Sequence, residues 1–158
     1  MSCPTVANPP SFFLNLPTGS ITNATAFFLA LSFSHIKEWS DDKTVAFRLP
    51  GCNSNICLMV NDHSRMQEFM RPGSTIADAN TTTEALFSFM AVDKNEVEDW
   101  VKKAVAAGGK ADPYTLPGYG GEMGMYNRSF ADLDGHIWEA CSMVSGGCSF
   151  SGVNDAPA

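Results

Sequence analysis

The sequence predicts an α+β protein built from two modules with the same element order, each a strand, a helix and then further strands. Two observations carry this. The extended apolar stretch "FFLNL" (residues 12–16) precedes a helical pattern, and "ALFSFMAV" (85–92) precedes another. Behind each helix stand short apolar runs separated by turn-forming residues. Residue identity between the halves is weak, so the repeat rests on element order.

Residues 1–11 are polar and Pro-rich and read as a flexible lead-in. In "TGSITNATAFFLALSF", Ile21, Ala24, Phe27, Phe28 and Leu31 recur at helical spacing. "TVAFRL" and "NICLMV" are strands joined by the turn-rich "PGCNSN". Asp62 caps a short helix in "DHSRMQEFMRPG", which Pro72 and Gly73 end. "STIADANTTTE" is a connector. Asp93 with Glu96 makes a capping box for the second long helix, and Val97, Trp100, Val101, Ala104 and Val105 form its apolar face. Glu98 with Lys102 and Asp99 with Lys103 are paired on the outer face. Gly108 and Gly109 end that helix. "DPYTLPGYGGEMG" (112–124) is a Gly/Pro-rich loop, either a lid or a plain connector. "MGMYNRSF" and "HIWEACSMV" are strands flanking "ADLDG", and 144–158 is a disordered tail.

Composition narrows the function classes. A net charge of -7 without a Lys/Arg cluster argues against nucleic acid and anionic membrane as partners. No apolar run approaches the ~20 residues of a membrane span. The start carries no legible signal peptide, so the chain reads as cytoplasmic. The five cysteines, Cys3, Cys52, Cys57, Cys141 and Cys148, contain no C-x-x-C and suggest neither a disulfide framework nor a zinc site. The sequons at Asn23, Asn80 and Asn127 read as chance occurrences without export.

The doubled βαβββ order, with "NLPTGSITNATAFFLALSF", "VDKNEVEDWVKKAVAAGGK" and above all "RSFADLDGHIWE", resembles the vicinal oxygen chelate superfamily. That group includes glyoxalase I, extradiol dioxygenases and bleomycin-resistance proteins. The resemblance covers roughly residues 12–143, as modules 12–72 and 84–143. Leu133 stands where the family commonly has Pro. The resemblance implies a curled mixed sheet around a cup, helices on the outside, a ligand within, and a homodimer. It places the family's metal-ligand positions at Phe13, Met59, Phe87 and Glu139, with Asn15 the alternative if the first strand slips by two. Only Glu139 suits a hard divalent ion. His35, His63 and His136 lack ligand spacing. The expectation is therefore no metal and no cofactor.

Glu139 then needs another partner, because an ionised carboxylate in an apolar cup is costly. If Asp132–Gly135 form the hairpin loop, Ala131 opposes His136, Arg128 opposes Glu139 and Tyr126 opposes Cys141. Arg128 would then pair with Glu139. The alternative is that Glu139 reaches water at the rim.

Three functions follow from the resemblance. The first is a metal-independent isomerase, cyclase or lyase on a small organic substrate. There Glu139 moves a proton, Arg128 holds a substrate oxygen, and Tyr126 and Tyr119 donate hydrogen bonds. The second is a sequestering protein of bleomycin-resistance type. The third is a divalent-metal lyase of glyoxalase I type. Phe13, Asn15, Phe47, Met59, Phe87, Phe89, Met125 and Cys141 are the candidate wall for a small ligand, and each is also a candidate for ordinary core.

Overall fold

Alternation along each strand decides where the core lies, because successive side chains point to opposite faces. The computed structural model describes residues 9–115, 121 and 124–144. Most of the lead-in, residues 116–120 and 122–123 of the Gly/Pro-rich loop, and the tail from 145 lie outside the described residues, and Tyr119 with them.

The first module runs β1 (Phe12–Thr18), α1 (Ile21–Ala30), β2 (Ser34–His35), β3 (Thr44–Arg48), β4 (Ile56–Asp62) and α2 (His63–Glu68). The second runs β5 (Leu86–Met90), α3 (Lys94–Ala106), β6 (Lys110–Ala111), β7 (Met125–Ala131) and β8 (Ile137–Met143). Each module makes one four-stranded mixed sheet, ordered β1-β4-β3-β2 and β5-β8-β7-β6. In each, the first strand is parallel to the last and the others are antiparallel. The strands β2 and β6 have two residues each and leave no periodic signal in the sequence. Among the described residues the two sheets share no strand pairing, and no barrel closes.

Asp62 and Asp93 cap their helices as the sequence predicts, accepting from the amides of Arg65 and Glu96, and Ser20, not singled out from the sequence, accepts from the Asn23 amide. Glu96 does not complete a reciprocal box: its carboxylate accepts from the Val92 amide, one residue before the cap. The expected i,i+4 pairs on α3 are also corrected. Asp99 sits 3.9 Å from Lys102, and Glu98 turns to Arg128.

One core fills the space between the helices and both sheets. Phe28 of α1 touches Phe47 of the first sheet and Trp138 of the second, at ring centroids 5.6 and 5.7 Å apart. Trp138 is 1% exposed and meets Phe33, Phe87, Phe89 and Phe130 as well. Phe47 and Phe89, expected on a ligand wall, therefore belong to this core. They share the face of Trp138, not that of Glu139.

The modules also clasp each other symmetrically. Asp134, in the β7–β8 turn, accepts from Thr18 Oγ1 at 2.7 Å and from the Gly19 amide at 2.8 Å, at the end of β1. Asn53, in the β3–β4 turn, donates to the Met90 carbonyl at 2.7 Å and accepts from its amide, at the end of β5. Among the described residues no helix is long and apolar enough to cross a membrane.

Trp138 joins all these packing elements, so Trp138→Ala is expected to cost about 3–5 kcal/mol of folding stability. Urea denaturation followed by far-UV circular dichroism measures it.

Candidate functional site

The β7–β8 register sets the site. The pairs are Ala131 with Ile137, Phe130 with Trp138, Ser129 with Glu139, Arg128 with Ala140 and Asn127 with Cys141. This is one residue away from the register expected from a four-residue loop. Asp132 is the cause. Its amide donates to the His136 carbonyl, and Oδ1 accepts from the amides of Asp134 and His136, each at 3.0 Å. Oδ2 accepts from the Trp138 indole at 2.9 Å. His136 is thereby drawn into the turn, and its ring contacts the Pro17 carbonyl.

A one-residue slip moves every side chain to the other face. Arg128 consequently does not meet Glu139. It lies on the α3 side, where Nη1 donates to Glu98 at 2.8 Å and Nη2 to Asp112 at 2.5 Å. Nε donates to Asp112 at 3.2 Å. Tyr126, on the same face, donates to Glu98. The two carboxylates push the Arg128 guanidinium further up, with the Asp112 hydrogen bond the largest cause. The hydrogen bond to Glu98 and burial push the Tyr126 phenol up. The Arg128–Glu139 pairing and the Tyr126–Cys141 opposition are both corrected by this register.

The other face carries Glu139, flanked by Ser88 on β5 and Ser129 on β7. The side chain is 6% exposed, and its oxygens are met by neutral donors. Oε1 accepts from Ser88 Oγ at 2.8 Å and from Cys141 Sγ at 3.2 Å. Oε2 accepts from the Tyr114 phenol at 2.7 Å and from Asn127 Nδ2 at 2.8 Å. Burial pushes the carboxyl up, but the four donations together outweigh it and hold Glu139 below its ordinary value. Burial and the Glu139 contact push the Cys141 thiol up to about 12, so it stays a donor.

Tyr114 reaches the site because residues 112–114 follow the outer edge of β7 beyond β6. The Asp112 amide donates to the Ser129 carbonyl, and Ser129 Oγ donates to the Tyr114 carbonyl. Asp112 bends there with φ 47°. A cavity of about 400 Å³ borders this edge and is lined by Tyr114, Asn127, Ser129 and Glu139, with Arg128, Tyr126, Glu98 and Asp112 at its far side. Ser88, Tyr114 and Asn127 were not singled out from the sequence. Ser88 follows from alternation once Glu139 is paired with it, whereas nothing local marks the long-range contact of Tyr114.

In the first module the equivalent positions are Asn15 and Met59, paired across β1 and β4 as Ser88 and Glu139 are across β5 and β8. Phe87 is therefore corrected as a metal-ligand position, because it points to the Trp138 side. Phe13, Asn15, Met59, Met125 and Cys141 do lie on the faces turned away from the core. An amide, a thioether, a hydroxyl and one carboxylate already accepting from four donors do not fit a hard divalent ion. Among the described residues no group of three His, Cys, Asp or Glu could hold a metal.

Arg128 ties α3, β7 and the chain before Tyr114 into one unit. Arg128→Gln leaves Glu98 and Asp112 facing each other and is expected to cost about 1 kcal/mol at neutral pH, since the pair is part-exposed. In the native protein the Tyr126 hydrogen bond, against burial and with Arg128, holds Glu98 below 4.5. Its contribution is present above that value and lost as pH falls through the lowered one. The native–variant gap should therefore close in acid, as thermal unfolding across pH 3–7 reads.

No family model matches the sequence, and no curated protein matches it. Solved structures do. A glyoxalase-related enzyme from Fulvimarina pelagi superimposes with a TM-score of 0.64 at 19% identity, over 89% of this chain and 96% of that one. A glyoxalase/bleomycin resistance protein/dioxygenase family enzyme from Burkholderia phytofirmans PsJN gives 0.61 at 18%, over 83% and 96%. The lactoylglutathione lyase of Agrobacterium tumefaciens gives 0.58 at 20%, over 85% and 95%. With two βαβββ modules, each with its first strand parallel to its last, and this superposition, the chain has the fold of the vicinal oxygen chelate superfamily.

Proposed function

We propose that the protein is a metal-independent enzyme of isomerase or lyase type, acting on a small carbonyl-bearing organic substrate beside Glu139. The observation that supports this is the buried Glu139 carboxylate, ionised and held by four neutral donors, with no ion-pair partner among the described residues. An ionised carboxylate is ready to accept a proton. Entry of a substrate oxygen would draw the Tyr114 phenol away, and a carboxylate that loses a donor becomes a stronger base. Glu139 then takes a proton from the carbon next to the carbonyl. The C–H electron pair moves into the enolate, whose oxygen accepts from Tyr114. Glu139 returns the proton to the same carbon on either face, giving an epimer, or the enolate expels a leaving group from the carbon beyond it.

Arg128 has no part in this step, because Glu98 and Asp112 neutralise it. Its role in this reading is to position Tyr114 through Asp112. The exposed Phe12, Phe13 and Leu86 favour a homodimer, and the reading keeps the protein in the cytoplasm. Sequestration without turnover is the second reading. It is favoured by the full set of donors on Glu139, which suits a fixed acceptor as well as a base.

The test is deuterium wash-in from D₂O. A panel of small ketones, aldehydes and 2-oxo acids is incubated with the protein in chelator and followed by proton NMR. Exchange is expected on at least one member, falling about 10²-fold or more in Glu139→Gln. Exchange that needs an added divalent ion, or survives Glu139→Gln, would overturn the proposal. Saturable binding with no exchange on any member would move the assignment to sequestration.

A further inference from the structure

A second cavity, of about 380 Å³, lies where β1 meets the start of β8, under the connector between α2 and β5. It shares no lining residue with the Glu139 cavity. Its size is within the range of small-molecule sites, roughly 300–1,000 Å³. Met66, Phe69, Met70, Phe87 and Ile137 supply an apolar wall. Phe69 is 62% exposed, which is unusual for an aromatic side chain without a partner to cover it.

The roof is built, not loosely draped. Asp78 gathers its own turn by accepting from Asn80 and from Thr81 and Thr82 amides through its side chain and carbonyl. Asn80 Nδ2 then donates to the Asp134 carbonyl at 3.1 Å, which pins the connector to the β7–β8 turn. Gly135 makes this possible. Its φ is +94°, and a Cβ there would stand 2.7 Å from the Asn80 backbone nitrogen.

Two opposite charges line the same cavity, Arg71 and Glu84. They do not pair with each other, and among the described residues neither has an ion-pair partner. Arg71 and Glu84, both exposed at the lining of this apolar cavity, offer a cation and an anion to a ligand with both charges and an apolar side group. We infer that this cavity binds a small zwitterion of the hydrophobic α-amino acid class, carboxylate toward Arg71, ammonium toward Glu84, and side chain against Met66, Phe69 and Met70. Methionine and aromatic walls adapt to side groups of differing shape.

Calorimetric titration of the full chain tests this with three probes: L-phenylalanine, 3-phenylpropionate lacking the ammonium, and 2-phenylethylammonium lacking the carboxylate. L-Phenylalanine is expected to bind about fivefold or more tightly than either. Arg71→Gln should reduce it to the level of 2-phenylethylammonium, and Glu84→Gln to that of 3-phenylpropionate. Gly135→Ala, which displaces Asn80 and the roof, should weaken all three probes. No binding of L-phenylalanine at millimolar concentration, equal binding of the three, or affinity indifferent to both charge substitutions overturns the assignment. Neither Arg71 nor Glu84 lines the Glu139 cavity, so the charge-substitution result is independent of the catalytic reading.

Discussion

The side chain of Asp132 decides more of this molecule than any other. Its carboxylate collects two turn amides and the Trp138 indole while 7% exposed, and burial pushes its pKa up against those donations. Those bonds fix a five-residue loop between Ala131 and Ile137. The loop fixes the register, and the register sends Trp138 into the core and Glu139 to the opposite face. Two residues on, Asp134 clasps β1 of the other module, and its carbonyl receives Asn80 of the connector. Core, candidate active site and second cavity all hang from this turn.

With the register set, the electrostatics of the two faces separate. On the helix side, Arg128 meets two carboxylates in a part-exposed cluster that binds α3 to the segment leading to Tyr114. On the open side, Glu139 has no ion-pair partner among the described residues and accepts from oriented O–H, N–H and S–H dipoles. Such preorganised donors stabilise charge in a water-poor site at little cost of rearrangement. The two networks lie on opposite faces of β7 and meet in the segment from Asp112 to Tyr114.

The element order, the long helices and the Asp62 and Asp93 caps were legible in the sequence, and so was Glu139 as the one carboxylate on an apolar strand, because periodicity and caps are local signals. The partners of Glu139 were not. A four-residue loop in "ADLDG" would pair Arg128 with Glu139, whereas the hold of Asp132 on His136 and Trp138 adds a residue. That slip carries Tyr126 to the wrong face with it, whereas Phe87 is misplaced by the family ligand position, which its pairing with Trp138 corrects. Phe47 and Phe89 were expected on a ligand wall because aromatic residues suit pockets and cores alike, and only pairing with Leu58 and Ala140 assigns their face. Tyr114 comes from a Gly/Pro-rich loop with no periodicity, so its contact with a residue 25 positions away has no local trace.

The central claim is that Glu139 is a buried carboxylate kept ionised by neutral donors. The most direct test is a carbon-detected NMR titration of the Glu139 side-chain carboxyl, in the native protein and in Tyr114→Phe. The account predicts a native midpoint below 4.5, moving up when the Tyr114 hydroxyl is removed. A native midpoint above that value, or one indifferent to Tyr114→Phe, would contradict it.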